Sequence, residues 1–454
     1  MLRGLASADV SDALSGEVTE LLQQLIRNAC VNDGTAESGH EQRNTDVLRA
    51  YLEGSGLEIE SFEPTPGRTS LVARIEGRDS AAPTVCLMGH TDVVPVTPQH
   101  WTRDPFGGEL VDGEVWGRGA IDMLNLTASM AVATRHLADE GFRPDGTLIY
   151  LAVADEEAGG RHGAEWLADH AWDAVGADYV LTESGGILTQ TPTGPAVGVA
   201  VAEKGIAWRR LRVQGTPAHG SMPFGSDNAL VKAAEVVRRL AAYRPGAQIG
   251  DLWRTYVQNR EVSDELRAAL LDPERVFDAC VAYDEPSVAK LWHACTHTTF
   301  SPNVTHGGVK TNVIPDVVDL EIDIRTLPGE TADDVRRHLD AALGDLAAEV
   351  EVTPLQDALA TESPTGTPMW EALQRLVQVA YPGARLLPRL TVGGTDARFF
   401  REHGAVAYGC GLMSAGVTYE QFASRFHGND ERIDVDSLRL TTELWLGLAR
   451  DFLR

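Results

Sequence analysis

The sequence is poor in basic residues and contains no long apolar run. Its 454 residues include 39 Lys and Arg against 66 Asp and Glu, which gives a net charge of -27 at pH 7. Because such a chain supplies no clustered basic face to displace phosphate counterions, no nucleic-acid partner is expected. No segment reaches the roughly 20 apolar residues of a membrane-spanning helix, so no membrane partner is expected either.

Cysteine is scarce as well. The five cysteines are scattered and form no CxxC pair, which favours reduced, mostly buried thiols over a disulfide framework or a structural zinc site. They are Cys30, Cys86, Cys280, Cys295 and Cys410. The segment 1–9 lacks the long apolar stretch of a signal peptide, so we expect a cytoplasmic protein.

The chain exceeds the size of one ordinary hydrophobic core, so two domains are expected. Short apolar runs at 84–88 and 148–154 predict buried strands, and an amphipathic segment at 125–140 predicts a helix between them. A further helix is expected at 45–57. A strand, a helix and a second strand in this order predict an α/β fold with a mostly parallel central sheet.

The character of the sequence changes after Gly186. Runs at 197–203 and 207–213 are predicted to be paired strands, and a helix is expected at 227–242. Apolar and polar residues alternate at 317–325, which predicts a half-exposed antiparallel strand.

These patterns predict an insertion in the larger domain. We interpret residues 191–330 as an inserted α+β domain, with an irregular, partly helical elaboration near 245–300. Residues 1–190 and 331–454 then form the two parts of the larger domain.

Metal-type side chains follow several of the predicted strands and turns. Ligands of an α/β sheet gather beyond the carboxyl ends of its strands, so we expect these side chains to meet there. Two histidines and three carboxylates, with one carboxylate to spare, suit a pair of zinc ions, and cobalt or manganese could use the same ligands. The residues are His90, Asp122, Glu156, Glu157, Glu183 and His427.

Asp122 is the best candidate for a carboxylate that both ions share. It lies on a glycine-rich turn, and two ions about 3.5–4 Å apart need such a bridge. One ion would then bind His90 and Glu183, and the other would bind Glu157 and His427.

Glu156 and Asp92 are expected to support the ligands. Adjacent Glu156 and Glu157 cannot point the same way in an extended chain, so one reaches the metal while the other faces a water molecule. We assign Glu156 to proton transfer, as general base and then as proton donor to the leaving amine. Asp92, two residues after His90, is expected to hold that imidazole ring.

Four motifs stand out in the sequence: GHTDVVP at 89–95, GRGAxDM at 117–123, DEE at 155–157 and HGxDERI at 427–433. They resemble motifs of the M20 metallopeptidases, a family that includes acetylornithine and succinyl-diaminopimelate deacylases, aminoacylase-1, carboxypeptidase G2 and carboxypeptidase S. The resemblance covers nearly the whole chain and implies a di-zinc α/β catalytic domain. It also implies that the inserted α+β domain is a lid through which two chains form a homodimer. The plain departure is Leu124-Asn125, where many members have Lys-Gly.

The resemblance assigns further residues. His219, in GTPAHGS, would stabilise the oxyanion of the reaction, often from the partner chain of the dimer. Asn312, Arg325 and the Gly394-Thr395 loop would bind the carboxylate of the substrate. Arg325 also supplies the local cation that an acidic protein needs for such a substrate, and a planar guanidinium suits a carboxylate.

The implied activity is hydrolysis of an amide bond in a dipeptide or N-acyl amino acid with a free carboxylate, by metal-activated water with Glu156 as general base. A di-zinc aminopeptidase, which recognises a free α-amine, is an alternative that Arg325 disfavours. An inactive metal-holding binding protein is an alternative of another class. Glu156 and His219 argue against it, because a non-catalytic protein has no chemical need for either.

Overall fold

The chain divides into two compact units. The computed structural model describes residues 8–454, with side chains from residue 12 onward. Unit 1 comprises the chain up to residue 201 together with 363–389 and 395–454, and unit 2 comprises 202–362 and 390–394. The prediction from segment 1–9 concerns residues that lie mostly outside the described ones.

The structure places the unit boundaries at 201 and 362 instead of the predicted 190 and 330. The difference at the second boundary has a physical cause. Helix Ala332–Leu343 contributes Val335 and Leu339 to the hydrophobic core of unit 2. Strand Val350–Ala358 pairs along strand Gly205–Gln214 of the same unit. Residues 331–362 therefore belong to the smaller unit.

A mixed β-sheet forms the centre of unit 1. Four strands in the middle of this sheet are parallel: Leu148–Val153, Val85–His90, Tyr179–Thr182 and Val406–Gly409. Antiparallel strands flank them, namely Glu58–Thr65 and Arg68–Ile75 on one side and Gly194–Glu203, with Leu188–Thr191, on the other. The α/β class is confirmed, and its parallel character is confined to these four strands.

Helices cover the unit 1 sheet, so strands Val85–His90 and Leu148–Val153 are buried along their whole length. The segment predicted at 125–140 forms helix Leu124–Asp139, which packs against helix Val435–Phe452. The helix predicted at 45–57 ends at Leu52, because Gly54 and Gly56 take positive φ angles of 83° and 81°. The α-helices of this unit are Ala8–Arg27, Gln42–Leu52, Leu124–Asp139, Ala164–His170, Trp172–Val175, Pro368–Ala380, Ala397–Glu402, Tyr419–Arg425 and Val435–Phe452.

Unit 2 contains a four-stranded antiparallel sheet. Its strand order is Thr299–Gly307, Val317–Thr326, Gly205–Gln214 and Val350–Ala358, and helices Ala229–Ala242 and Ala332–Leu343 pack on its apolar face. The alternating burial predicted at 317–325 is confirmed in Val317–Thr326.

The predicted pairing of 197–203 with 207–213 is wrong, although both segments are strands. Gly194–Glu203 pairs with Leu188–Thr191 and Val406–Gly409. Gly205–Gln214 instead lies between Val317–Thr326 and Val350–Ala358. Two consecutive strands thus enter different sheets, which local patterning alone does not reveal.

Residues 245–300, expected to be an irregular, partly helical elaboration, contain four helices with a hydrophobic core of their own. This core includes Trp253, Leu270 and Trp292. The helices are Asp251–Gln258, Asp264–Leu270, Val276–Ala282 and Pro286–Thr296.

Two predictions from composition can be compared with the described residues. All five cysteines lie within them; none of them forms a disulfide bond there and four are buried, as expected for reduced thiols. Among residues 8–454, no helix has both the length and the apolar character needed to cross a membrane.

Candidate metal centre

Three neighbouring parallel strands bring polar side chains to one edge of the unit 1 sheet. His90 is the last residue of Val85–His90, Glu156 and Glu157 follow Leu148–Val153, and Glu183 follows Tyr179–Thr182. These strands run in the same direction, so their carboxyl ends lie side by side. The predicted meeting of these side chains follows from this arrangement.

Two residues from other elements complete the cluster. Asp122 lies on the turn before helix Leu124–Asp139, and His427 lies in the loop after helix Tyr419–Arg425. One carboxylate oxygen of Asp122 is 3.1 Å from Nε2 of His90, and the other is 2.7 Å from Nε2 of His427. Asp122 therefore stands between the two imidazoles.

The side chains form two groups that could each hold a metal ion. The first group is His90, Asp122 and Glu183, and the second is Asp122, Glu157 and His427. Within each group the ligand atoms lie within 4.8 Å of one another. Asp122 belongs to both groups, as the bridging prediction requires.

Glu156 lies beside these groups and belongs to neither. Its Oε2 atom is 4.0 Å from Nε2 of His90. Glu156 and Glu157 are not extended, as considered from the sequence, but form the 3-10 turn Glu156–Ala158. Asp155 before them has a φ of 70° and turns the chain, so both carboxylates reach the cluster.

The electrostatics of the cluster favour a cation. Burial raises the pKa of the Glu156, Glu157 and Glu183 carboxyl groups above its ordinary value, and the neighbouring carboxylates add to this effect. Burial opposes a proton on His427, but the hydrogen bonds with Asp122 and Glu157 prevail and raise its pKa to about 10. An environment that attracts protons this strongly attracts metal cations as well.

The donor atoms also fit a pair of divalent ions. Imidazole nitrogen and carboxylate oxygen are the donors that zinc takes in hydrolytic sites. Oε1 of Glu157 is buried and has no hydrogen-bond partner among residues 12–454. A buried carboxylate oxygen of this kind is costly unless something binds it, and a metal ion would satisfy it.

Asp92 supports the cluster differently from the prediction. The ring of His90 is held through Nδ1 by the main-chain carbonyl oxygen of Asp92, at 3.0 Å, while the Asp92 carboxylate is 3.5 Å away. That carboxylate instead accepts hydrogen bonds from the main-chain N–H of Glu157 at 3.0 Å and from Asn32 at 2.8 Å. Asp92 thereby links His90 to Glu157.

Sequence reasoning missed the role of a buried ion pair, Arg118 with Glu431. Glu431 accepts hydrogen bonds from the main-chain N–H groups of Ile121 at 2.6 Å and Asp122 at 3.1 Å. Arg118 lies 2.5 Å from Glu431 and donates to the carbonyl oxygen of His427 at 3.3 Å. Both residues occur in the GRGAxDM and HGxDERI motifs, which was the available signal.

The predicted residues of unit 2 fall into two places. His219 is exposed in the small two-stranded sheet formed by Ala218–His219 and Val313–Ile314, and Ser221 holds its Nδ1 atom at 2.8 Å. Asn312 lies next to His219, because its carbonyl oxygen accepts a hydrogen bond from the N–H of Gly220 at 2.9 Å. Asn312 is exposed as well.

Arg325 lies far from that two-stranded sheet within unit 2. Val313–Ile314 is followed directly by strand Val317–Thr326, and Arg325 is near the other end of this strand, roughly 26 Å from Val317 at the rise of a β-strand. The guanidinium group of Arg325 pairs with Asp323 at 2.8 Å. Within unit 2, His219 and Arg325 therefore stand at opposite ends of the sheet.

The Gly394-Thr395 loop spans the unit boundary. Gly394 is the last residue of the unit 2 segment 390–394, and Thr395 is the first residue of the unit 1 segment 395–454. The side chain of Thr395 accepts a hydrogen bond from the N–H of Ala397 at 3.2 Å and so supports the start of helix Ala397–Glu402.

Known proteins resemble the chain over most of its length. An N-fatty-acyl-amino acid synthase/hydrolase PM20D1 of Xenopus tropicalis is 25% identical and covers 96% of this chain and 88% of its own. A succinyl-diaminopimelate desuccinylase of Cereibacter sphaeroides is 27% identical and covers 90% of this chain and 93% of its own. The solved structure of an M20 family metallo-carboxypeptidase, Sso-CP2 of Sulfolobus solfataricus, has a TM-score of 0.71 at 18% identity, covering 96% of this chain and 99% of its own.

The solved structure shares the fold, while the family assignment rests on the sequence. The model of "Peptidase family M20/M25/M40" matches residues 86–451, well over half of the chain. The matched region contains every residue of the cluster. The chain therefore belongs to peptidase family M20/M25/M40 and is a hydrolase of the metallopeptidase and amidohydrolase type.

Proposed function

We propose that the chain hydrolyses the amide bond of a dipeptide or an N-acyl amino acid whose amino-acid portion has a free carboxylate. The observation that carries this proposal is the pair of ligand groups that share Asp122, with Glu156 beside them. The names of the relatives support the substrate class, since they refer to an N-fatty-acyl-amino acid hydrolase, a desuccinylase and a carboxypeptidase.

We assign two zinc ions to the cluster. His90 and Glu183 would hold one ion, Glu157 and His427 the other, and Asp122 would bridge them. When bound, such ions polarise the scissile carbonyl group and make a water molecule more acidic. Zinc suits these donors, although cobalt or manganese can use the same set.

Glu156 moves the proton. It accepts the proton of the attacking water and delivers it to the nitrogen of the breaking C–N bond, which leaves as the amine of the product. Its place beside the ligand groups supports this role, since a general base must lie within reach of the water without being bound itself. Burial makes its carboxylate a stronger base than an exposed one.

His219, Asn312, Arg325 and the Gly394-Thr395 loop would bind the substrate. His219 would donate a hydrogen bond to the developing oxyanion, and the others would bind the free carboxylate. The separation within unit 2 supports a homodimer, because a substrate that contacts both His219 and Arg325 needs these residues from two chains. An exposed outer strand, Thr299–Gly307, offers an edge for such pairing.

The cellular location belongs to the proposal as well. The mostly buried cysteines, none of which forms a disulfide bond among the described residues, support a cytoplasmic protein. Fractionation of cells that express the chain would contradict this location if the protein were found outside the cytoplasm.

The proposed function is tested by Glu156→Gln. We expect this variant to retain about two metal ions per chain and to lose roughly 10²–10⁴-fold in kcat, the usual contribution of a general base. The measurements are metal content and hydrolysis of a panel of dipeptides and N-acyl amino acids, each also offered with its carboxylate amidated. Glu165→Gln, in helix Ala164–His170, is the matched control and should behave as the unchanged protein.

The outcomes separate the parts of the proposal. Full activity of Glu156→Gln would contradict the general-base role. Equal cleavage of free and amidated substrates would contradict carboxylate recognition. A reconstituted protein without bound metal would contradict the ligand assignment itself.

A further inference from the structure

A buried polar network lies behind the metal cluster in unit 1. At its centre is Arg68, whose Nη1 atom is 2.6 Å from a carboxylate oxygen of Glu41 and 3.5 Å from Asp155. Its Nη2 atom donates to Oδ1 of Asn32 at 3.2 Å and to the carbonyl oxygen of Thr35 at 3.0 Å. Arg68, Glu41, Asn32 and Asp155 are each at most 3% exposed.

This network converges on the residue that precedes Glu156. The main-chain N–H of Asp155 donates to Glu41 at 3.2 Å, and the Asp155 carboxylate accepts a hydrogen bond from Asn32 at 3.2 Å. Asp155 has a φ of 70°, in the left-handed region that is uncommon for residues other than glycine, although aspartate adopts it more readily than most. Such a backbone conformation persists when the surroundings over-determine it. Here the surroundings are the Arg68 network together with the main-chain N–H of His162, which donates to the other carboxylate oxygen of Asp155 at 2.8 Å.

The direction of Glu156 depends on this turn. Asp155 connects the buried strand Leu148–Val153 to the 3-10 turn Glu156–Ala158, and its conformation decides where the next side chain points. The fold also makes room for the network, since a Cβ atom on Gly39 would collide with the guanidinium of Arg68.

Stability alone does not explain a charged pair in this place. A fully buried Arg–Glu pair loses its hydration and is often no more stabilising than apolar residues of the same volume. What the pair does provide is a fixed orientation of the groups bound to Arg68, because a guanidinium presents its donors in a rigid fork. That fork joins Glu41, Asn32 and Asp155 in one arrangement.

We infer that Arg68 is a positioning residue that holds Glu156 in its reactive orientation through Glu41 and Asp155, an inference that rests on the proposed role of Glu156. Glu157 is connected to Arg68 more remotely, through Asn32 and Asp92. The effect of Arg68 should therefore fall on proton transfer, with metal binding and substrate binding largely intact.

The test is Arg68→Lys, which keeps the charge and removes the fork. We expect kcat per two-metal enzyme to fall by on the order of 10²-fold, the cost of a displacement of about 1 Å at a reacting group. KM and metal content should stay within about twofold of the unchanged protein. Arg74→Lys is the matched control on the same strand, since Arg74 donates to the carbonyl oxygens of Asp173 and Ala174 and should leave kcat unchanged.

A purely structural role predicts a different pattern. It would lower the melting temperature and the yield, with kcat unchanged for each folded two-metal enzyme, and that result would overturn the inference. A parallel fall of metal content and kcat would also overturn it, because Arg68 would then act through the metal ligands. If Arg68→Lys does not fold, Glu41→Gln carries the same test, with an expected loss of about tenfold and wild-type kcat as the contradicting result.

A double-mutant cycle ties the effect to Glu156. In Glu156→Asp the side chain is shorter by one methylene group, so the carboxylate is already displaced. Adding Arg68→Lys should therefore lower kcat far less than it does in the unchanged protein. Equal losses in both backgrounds would overturn the inference. The proposed function is judged separately: an active Glu156→Gln variant contradicts it, whereas an inactive Glu156→Gln with a fully active Arg68→Lys contradicts the positioning role alone.

Discussion

The predicted functional residues of the two units differ in their exposure to solvent and in their contacts. In unit 1, His90, Asp122 and Glu183 are 1%, 4% and 6% exposed, and the residues of the cluster contact one another. In unit 2, His219 and Asn312 are exposed at a small two-stranded sheet, and Arg325 pairs with a carboxylate of its own strand. Of the groups that would hold ions, His90, Asp122 and Glu183 are thus buried together and Glu157 is half-buried, while His427 is exposed. His219 and Asn312, which would meet a substrate, remain accessible.

This difference has an energetic consequence. Four neighbouring carboxylates in a buried site repel one another and are deprived of water, so they need cations to remain ionised. Exposed residues carry no such cost. We therefore expect substitutions of the metal-binding residues in unit 1 to change metal content and stability. Substitutions of the predicted residues in unit 2 should change turnover or substrate binding and leave metal content and stability unchanged.

The largest effect is expected from Asp122→Ala. Asp122 contacts both imidazoles and belongs to both ligand groups, so its loss should reduce metal content below about one ion per chain and abolish hydrolysis. Metal analysis and the substrate panel measure this, with exposed Asp46→Ala as control. Two tightly held ions in Asp122→Ala would show that a bridging carboxylate is not needed. They would also contradict the expectation that metal content depends on the unit 1 residues.

A smaller effect is expected from the exposed residues of unit 2. Removing a single oxyanion donor costs about 10²–10³-fold in kcat, so His219→Ala should lose this much while its metal content and melting temperature stay unchanged. The measurements are kcat, metal analysis and thermal unfolding. A loss of metal in this variant would contradict the separation of roles.

Mixing variants sharpens the same prediction. If His219 and Arg325 act from different chains, inactive His219→Ala and inactive Arg325→Ala should regain up to about a quarter of the wild-type activity when their dimers exchange subunits. His219→Ala mixed with Asn312→Ala is the control. Because His219 and Asn312 are neighbours on one chain, each site of a mixed dimer would lack one of them and no activity should return. Equal recovery in both mixtures, or in neither, would contradict the two-chain arrangement.

The sequence predicted the cluster of unit 1 better than its supports. His90, Glu157 and Glu183 each follow an apolar run. The carboxyl ends of neighbouring parallel strands bring these residues together, whatever the conformation of the loops. The Arg68 network joins positions 32, 41, 68 and 155 through side-chain hydrogen bonds. Its members have no common spacing and no local pattern, so only the folded backbone brings them into contact.

The errors of the fold prediction have the same origin. The pairing of 197–203 with 207–213 was expected because adjacent strands often pair, yet Gly194–Glu203 and Gly205–Gln214 enter different sheets. The boundary at 330 was misplaced because Val350–Ala358 finds its partner far back in the chain, at Gly205–Gln214. Long-range strand pairing is a choice among distant segments, and periodicity does not encode it.

The smallest effect concerns pH and the metal-free protein. Glu156, Glu157 and Glu183 have pKa values raised by burial, and His427 has its pKa raised to about 10 despite burial. Each of these groups binds more protons when folded than when unfolded, so stability declines as pH rises from the ordinary carboxyl pKa of 4.5 towards about 10. Asp122 has a lowered pKa, so its stabilising contribution is already complete above 3.8 and does not offset this decline.

Bound ions replace these protons, so the metal-loaded protein should escape the decline. The difference in melting temperature between loaded and metal-free protein should therefore widen between pH 6 and pH 9, by about 1 °C per kcal/mol of added stability. Because both forms carry the same surface charge, the comparison removes the general effect of an acidic chain. If the melting-temperature difference stays constant or narrows with rising pH, the metal-free cluster does not bind excess protons in place of metal ions. The contrast between the two units would then have no electrostatic explanation.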